Sequence, residues 1–143
     1  MNRRVSENVG VAHGARGEDV AVRFMRCAGY EIVERDAHPV DADRRLDIDI
    51  VAYDALTETL VFVEVKQHGA RSPYQRRLRS VDRDKRDRLR RACNAWKRKN
   101  KWRGGFRFDV IQVYGAPGRR PEIDHIPNVE LFPRRERFVK WSL

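Results

Sequence analysis

Two strand-like segments joined by a short polar connection constrain the fold of this 143-residue chain more than any other feature. The first, Leu46-Asp47-Ile48-Asp49-Ile50-Val51, alternates acidic with aliphatic residues. The second, residues 60–67, is an apolar run that contains one acid and one base. Residues 54–59 lie between them and are short and polar enough for a hairpin connection. The pattern therefore predicts two adjacent antiparallel strands.

Side-chain alternation decides which residues of each segment share a face. In the first segment the two acids, Asp47 and Asp49, are predicted to lie on one face, with Ile48 and Ile50 on the opposite face. One face of the second segment is purely aliphatic, and the other ends in charge: Leu60, Phe62, Glu64 and Lys66. An acid and a base at the end of a buried strand are costly to desolvate, so such groups are usually paired, bound to metal or catalytic.

The register of the predicted hairpin decides which acids meet. If the turn is centred on the polar connection, opposed residues have numbers that sum to 113, so Asp49 faces Glu64 and Asp47 faces Lys66. Opposed Cβ atoms lie about 5 Å apart, close enough for two carboxylates to share one divalent cation. A slip of one residue would send one set of side chains to the wrong face.

Two opposed carboxylates followed by a lysine suit metal-dependent hydrolysis of phosphodiesters. Asp49 and Glu64 are expected to hold Mg²⁺ or Mn²⁺ through oxygen ligands, helped by the backbone carbonyl of Val65 and by water. Lys66 would orient the attacking water and offset the charge that develops on the phosphate. The spacing resembles the PD-(D/E)xK nuclease signature, although no proline precedes the first acid.

Five segments in a fixed order extend this resemblance: Gly17-Glu18-Asp19-Val20-Ala21, Gly29-Tyr30-Glu31-Ile32-Val33, Asp47-Ile48-Asp49-Ile50-Val51-Ala52, Phe62-Val63-Glu64-Val65-Lys66 and Arg107-Phe108-Asp109-Val110-Ile111. Across residues 14–126 the chain resembles the YraN-like family of small predicted endonucleases, related to archaeal Holliday-junction resolvases within the restriction-endonuclease-like superfamily. The resemblance implies an α/β fold with an α-β-β-β-α-β core and a mixed central sheet flanked by helices. It also implies an active site at the sheet edge and a DNA substrate, with branched and flapped DNA among the candidate forms. By analogy with the resolvases it implies a homodimer.

The resemblance adds one acid and meets two departures. In resolvase-like relatives a helix glutamate reaches the metal site, and Glu18 matches that motif. The alternative is that Glu18 is an acid of the first helical turn that favours the helix dipole. Asp47 stands where the family usually has glutamate, and residues 36–45 form a longer, more charged connection than usual.

Positive charge is concentrated in one part of the chain. Residues 71–103 hold fifteen Lys or Arg and three Asp, whereas the other residues hold sixteen basic and eighteen acidic side chains. Such clustering is typical of a surface that binds a polyanion, and it predicts contact with DNA. The alternative is a solvated helix face in an arginine-biased chain. The candidate phosphate ligands are Lys85, Arg86, Arg90 and Arg98; Lys85 points inward, where a snorkelling lysine is the other interpretation.

The remaining pattern predicts one nuclease-like domain at residues 14–132, between a flexible arm at residues 1–13 and a basic tail at residues 133–143. A first helix is expected at residues 14–28 and a second at residues 81–99, ended by Gly104-Gly105. Asp109 is expected to brace Arg107, or an arginine from another element, rather than bind metal.

Composition narrows the class of protein further. Cys27 and Cys93 each fall on the apolar face of a predicted helix, which indicates buried free thiols. No segment approaches the roughly 20 apolar residues of a membrane span, and no secretory signal is recognisable, so a cytoplasmic protein is expected. Two functions remain: a Mg²⁺- or Mn²⁺-dependent endonuclease, and a nucleic-acid-binding protein that does not cut. An adaptor with a basic surface would explain neither the acids nor Lys66.

Overall fold

A five-stranded mixed sheet lies between two helices in the part of the chain that the structure describes, residues 13–69, 83–115 and 118–132. In this computed structural model the elements are, in chain order, α1 (His13–Cys27), β1 (Glu31–Ala37), β2 (Ile48–Asp54), β3 (Thr59–His68), α2 (Arg83–Lys99), β4 (Gly105–Tyr114) and β5 (Glu122–Ile126). This order confirms the α-β-β-β-α-β core expected from the sequence, and a fifth strand follows it.

The strands lie side by side in their order along the chain. β1, β2 and β3 pair antiparallel, β3 and β4 pair parallel across the connection that contains α2, and β5 returns antiparallel beside β4. β3 is therefore an interior strand with partners on both sides. This position suits its continuous apolar run, because neither face of its first half meets water.

One helix covers each face of the sheet. Ala21 and Met25 of α1 pack with the aliphatic face of β3, which includes Val61 and Val63. On the opposite face α2 buries the stripe predicted for it: Leu89, Ala92, Cys93 and Trp96. Phe62 of β3 contacts this stripe, and its ring lies 5.8 Å from that of Trp96. The predicted faces of β3 are thus confirmed, and Glu64 lies at the end of the face beneath α2.

The hairpin register predicted from the sequence is confirmed. β2 and β3 pair Ile50 with Val63 and Asp54 with Thr59, so opposed numbers sum to 113. The turn is stabilised by Asp54, whose Oδ1 accepts a hydrogen bond from the Leu56 NH at 3.1 Å. Asp-initiated turns of this kind are local, which is why the connection could be placed from sequence.

One prediction about β2 is wrong. Ile48 packs in the cluster beneath α2, whereas Ile50 packs in the cluster beneath α1, so the two residues do not share a face. The alternation is interrupted at Asp49, whose carboxylate accepts a backbone NH of β3. At Asp49 the carboxylate, and not a backbone carbonyl, accepts the NH of the neighbouring strand, and β2 departs from the regular pleat there.

α2 ends at Lys99, as predicted, but the two glycines are not what ends it. Trp102 NH donates to the Lys97 carbonyl at 2.8 Å, and Lys101 between them has φ 54°, in the left-handed region. This is the turn that usually places glycine after a helix. The helix therefore ends before Gly104-Gly105, and Gly105 instead begins β4.

Two predictions concern the ends of the chain and the cysteines. The predicted arm and tail lie outside the described residues, except for His13, which belongs to α1. Residues 81–82 of the second predicted helix also lie outside the described residues. Cys93 is a buried free thiol whose burial raises its pKa to about 12. Cys27 is exposed, contrary to expectation, because α1 ends at this residue. Within the described residues, no helix has the length and apolar character needed to cross a membrane.

Candidate metal centre and nucleic-acid surface

The acid pair lies where regular pairing of β2 with β3 stops. The paired positions end at Ile50 and Val63, and Asp49 and Glu64 are the next residue of each strand beyond that pair. Asp49 Oδ2 accepts the Val65 NH at 2.7 Å, and Glu64 lies within hydrogen-bonding reach of Asp49. Glu64 is only 9% exposed. The structure thus brings together the two predicted acids, while Val65 contributes its NH and a role for its carbonyl stays a prediction.

Burial, reinforced by repulsion between carboxylates, raises the pKa values of the acids at this end of the sheet. Burial, followed by the charge of Glu64, raises the pKa of Asp49 to about 8, although the hydrogen bond from Val65 opposes the change. Burial and the charge of Glu64 also raise the pKa of Asp47. At neutral pH Asp49 therefore holds a proton unless a bound cation offsets the negative charge of Glu64.

Lys85 of α2 supplies a positive charge to this cluster. Its Nζ lies 2.8 Å from Glu64 Oε1, and its side chain is 37% exposed. Burial lowers the pKa of Lys85, but the hydrogen bond and charge of Glu64, with smaller contributions from Asp49 and Asp47, raise it overall. Lys85 was predicted to point inward as a phosphate ligand or a snorkelling lysine. It does point inward, and its partner is a predicted metal ligand.

Lys66 lies two residues beyond Glu64 on β3 and beside Gln112 of β4. Burial, followed by the positive charge of Lys85, lowers the pKa of Lys66, whereas Glu64 raises it. Among the described strand pairs, Asp47 is not opposite Lys66, because β2 begins only at Ile48. The predicted opposition of Asp47 and Lys66 therefore lies beyond the paired positions, and the charge of Glu64 acts on Asp47.

Glu18 reaches the acid pair from the opposite face of the sheet. Its carboxyl lies within hydrogen-bonding reach of Asp49, and burial followed by the charge of Asp36 raises its pKa. A Cβ at Gly17 would lie 2.9 Å from Gln67 Oε1, so glycine lets α1 approach β3 closely enough for this contact. Glu18 is not in the first turn of α1, which disfavours the helix-dipole alternative.

An open cavity of about 420 Å³ lies next to the acids. It is bounded by both signs of charge and one leucine: Arg45, Asp47, Glu64, Lys85, Arg88 and Leu89. Arg45 and Arg88 were not singled out in the sequence, because the connection before β2 and the helix come together only in the fold. Asp43 holds Arg45 in place, with Arg45 Nε 3.0 Å from Asp43 Oδ1.

The donor set fits a hard divalent cation. Mg²⁺ and Mn²⁺ prefer oxygen ligands, and Mg²⁺ is commonly held by one or two carboxylates with water and substrate phosphate completing its shell. Asp49 and Glu64 supply two carboxylates whose mutual repulsion a cation would relieve. Across residues 13–69, 83–115 and 118–132, no three His, Cys, Asp or Glu side chains form a ready metal cage. Two carboxylates suit an ion whose remaining ligands are water and substrate oxygens.

The predicted phosphate ligands of α2 divide into engaged and exposed side chains. Arg90 forms an ion pair with Asp87 and donates to the Leu131 carbonyl at 3.1 Å, so its guanidinium is already used within the domain. Arg86 and Arg98 are exposed. Each lines a separate open cavity on α2.

A polar cluster beyond Lys66 was missed. Gln112 is 4% exposed, and its Oε1 accepts from the Tyr114 hydroxyl at 3.0 Å and lies 2.9 Å from His68 Nε2. The His68 and Tyr114 rings stack with centroids 4.9 Å apart. The sequence signal that could have indicated this cluster was a glutamine, Gln112, on a strand face otherwise occupied by the apolar residues Phe108 and Val110.

Asp109 forms a second buried acidic site, and its pKa is shifted in the opposite direction from that of Asp49. It is 0% exposed and accepts hydrogen bonds from Arg107 Nε at 3.0 Å, His125 Nε2 at 2.7 Å and the Asn128 NH at 2.9 Å. Burial alone would raise the pKa of Asp109, but these partners together lower it. Arg107 also donates to the Tyr30 hydroxyl at 2.7 Å. The expected bracing of Arg107 by Asp109 is confirmed.

Comparison with known proteins yields a family match and several relatives. A family model described as uncharacterised protein family UPF0102, the YraN family, matches residues 17–113. A UPF0102 protein of Nocardia farcinica is 40% identical over 123 residues, covering 82% of this chain and 88% of the relative. Similar proteins occur in Mycobacterium tuberculosis, at 35% identity over 81% of this chain and 90% of the relative, and in Rhodococcus opacus, at 33% over 81% and 93%.

Proposed function

This chain belongs to the UPF0102 family, and on that premise we propose that it is an endonuclease that hydrolyses phosphodiester bonds in DNA with Mg²⁺ or Mn²⁺. The observation that carries the proposal is the meeting of Asp49 and Glu64 at the end of β2 and β3. The pairing of β2 with β3 holds these acids close despite their repulsion, and Lys66 follows on the same strand. A purely structural role would be better served by apolar residues, because a buried like-charge pair is destabilising.

Each residue of the cluster has a distinct role in this proposal. When bound, the divalent ion supplies positive charge to the phosphate and acidifies the attacking water. Asp49 and Glu64 hold that ion, and Val65 NH keeps the Asp49 carboxylate turned toward the cluster. Glu18 fixes Asp49 from the other side. Lys66 orients the water and stabilises the negative charge that develops on the phosphate.

The expected polyanion is DNA, and branched or flapped forms are included because of the resemblance to resolvases. Arg86 and Arg98 remain the exposed phosphate ligands of α2, and Lys85 faces the same cavity as Glu64. Contacts of this kind are independent of base sequence and weaken as salt rises. Arg90 is a weaker candidate than the sequence indicated, because its guanidinium is held by Asp87 and Leu131.

The metal part of the proposal is tested by calorimetry with Mn²⁺. Asp49→Asn and Glu64→Gln should each weaken binding severely, because each removes one anionic ligand. Asp109→Asn is the matched control, since it changes another buried aspartate of the sheet. Unchanged Mn²⁺ affinity in both cluster variants would place the ion elsewhere and refute this site.

Cleavage separates the enzyme from a binder that does not cut. Purified protein with Mg²⁺ or Mn²⁺ should cut at least one of duplex, single-stranded, flapped or four-way-junction DNA, whereas Glu64→Gln purified alongside should not. Cleavage that persists equally in the variant would come from contamination. Binding without cleavage of any substrate would favour the non-catalytic alternative.

A further inference from the structure

A second open cavity, of about 520 Å³, lies at the carboxyl end of α2. It is lined by four basic residues, one amide and one indole: Lys97, Arg98, Lys101, Arg103, Asn94 and Trp102. None of these lining residues is acidic. The volume is within the range of small-molecule sites, and the lining offers both positive charge and an aromatic ring.

The indole of Trp102 is held in a fixed position. Its Nε1 donates to the Gly105 carbonyl at 3.2 Å, and its ring packs edge-on against Tyr53 with centroids 6.0 Å apart. A Cβ at Gly104 would lie 2.8 Å from the indole, so only glycine allows the ring this position. A rigid, half-buried indole loses little entropy when a flat ligand stacks on it.

Lys101 occupies a backbone position that favours glycine. Its φ of 54° lies in the left-handed region, where a side chain with a Cβ is strained. Strained residues of this kind often mark sites where the side chain has a function. The basic residues at the end of the helix partly serve the helix dipole, but Lys101 and Arg103 lie beyond its last residue, Lys99.

We propose that this cavity, the Trp102 pocket, binds one nucleotide unit of single-stranded nucleic acid, with the base on the indole and the flanking phosphates on Lys101, Arg98 and Arg103. This extends the proposed function, since it takes DNA as the partner. Lys85 and Arg98 are thirteen residues apart on α2, so the pocket lies roughly 20 Å along the helix from the acid cluster. It therefore anchors the strand away from the bond that is cut.

The chain's own tail is the competing occupant. Residues 133–143 follow Phe132, whose ring centroid lies 5.3 Å from Lys97 Nζ. The tail has four basic residues and one acid, so it carries the same sign of charge as the pocket and is repelled by it. A polyanion is therefore the better occupant.

Binding of fluorescent thymidine oligomers, measured by anisotropy with a chelator present to prevent cleavage, tests the proposal. The unmodified protein should bind the oligomer about tenfold more tightly than an abasic strand with the same number of phosphates, because base stacking adds to the phosphate contacts. Trp102→Leu should remove this preference. Equal affinity of the unmodified protein for both strands would overturn the proposal.

Two double variants, one in the pocket and one on α1 as its control, test the phosphate contacts. Lys101→Gly with Arg103→Gln should lower the salt dependence of binding by up to about 1.4 in log–log slope, since each single-strand contact contributes about 0.7. Lys101→Gly also relieves the strained backbone, so folding is preserved. Arg23→Gln with Arg26→Gln removes two exposed charges from α1 and should leave the slope unchanged. Equal slopes for the two double variants would contradict the proposal.

Two further measurements keep the outcome clear. The Trp102 indole NH signal in a ¹⁵N spectrum should shift on addition of the oligomer to the unmodified protein. An unchanged chemical shift at saturating oligomer would overturn the proposal and leave the tail as the better occupant. Glu64→Gln should keep the base preference intact, so loss of cleavage and loss of the pocket are separate results.

Discussion

Asp49 and Asp109 flank β3 at nearly the same level of the sheet, yet their surroundings are opposite. Asp109 is 0% exposed and accepts hydrogen bonds from Arg107, His125 and the Asn128 NH. Asp49 accepts one backbone NH and lies against the carboxylate of Glu64. The pKa of Asp109 is lowered, whereas that of Asp49 is raised to about 8.

The difference distinguishes a structural acid from a functional one. Donors satisfy Asp109 within the fold, so its charge contributes to stability. Asp49 instead carries an electrostatic cost, which an external cation can offset. A raised pKa alone would not identify a site, but here it coincides with an open cavity and with two nearby lysines, Lys66 and Lys85.

The largest expected effect is on the stability of the metal-free protein. Asp109→Ala should lower the free energy of unfolding by about 3–5 kcal/mol, because it leaves the charge of Arg107 without its buried partner. Asp49→Asn should not lower it and should raise it above pH 8, because it removes a repelling charge. Urea denaturation with a chelator measures both. Equal destabilisation by the two substitutions would abolish the contrast.

The next effect separates the lysine and arginine beside these acids. Lys66→Ala should slow cleavage by about 10²-fold while sparing Mn²⁺ affinity, because its charge is needed chiefly where negative charge develops. Arg107→Ala should lower stability while leaving cleavage at low temperature nearly unchanged. Single-turnover rates and thermal unfolding of both variants provide the measurements. A large loss of cleavage in folded Arg107→Ala would mean that the second cluster also serves the reaction.

The two aspartates should change the stability of the protein with pH in opposite directions. The folded pKa of Asp49 lies above its unfolded value, so its folded form gains a proton and stability falls as pH rises from about 4 toward 8. The folded pKa of Asp109 lies below its unfolded value, so its contribution is present at neutral pH and is lost in acid. Denaturation of Asp49→Asn across this range should show a flatter decline. If the decline is unchanged in Asp49→Asn, the loss of stability with rising pH comes from Glu18 or Asp47, whose pKa values are also raised.

The smallest expected effect concerns Lys85. Since Lys85 is the counter-cation of Glu64 in the absence of metal, Lys85→Gln should tighten Mn²⁺ binding by up to about fivefold, the range of a partly exposed ion pair. Arg88→Gln is a suitable control, because it removes a charge from the same cavity without touching Glu64 directly. Calorimetry compares the two. Weaker Mn²⁺ binding in Lys85→Gln would mean that the lysine positions Glu64 as a ligand instead of competing for it.

Much of the acid cluster was predictable because strand alternation and short hairpins are local. The polar connection fixed the turn, the turn fixed the register, and that register brings Asp49 and Glu64 together just beyond its last pair, Ile50 with Val63. The apolar stripe of α2 and the bracing of Arg107 by Asp109 followed from equally short spacings. The exposed Cys27 was missed, and so was the turn at Lys101 that ends α2 in place of Gly104-Gly105, because helix ends depend on a few weak local preferences.

The sequence by itself determined the α/β class, the family, the hairpin and the charge of the chain, because each is written in periodicities and motifs a few residues long. Only the tertiary structure decided which distant groups meet. The packing of α2 brought Lys85 to Glu64, and the packing of α1 brought Glu18 to Asp49. It also enclosed the Trp102 pocket at the end of α2. Such contacts depend on how helices pack on the sheet, and no local spacing specifies that geometry.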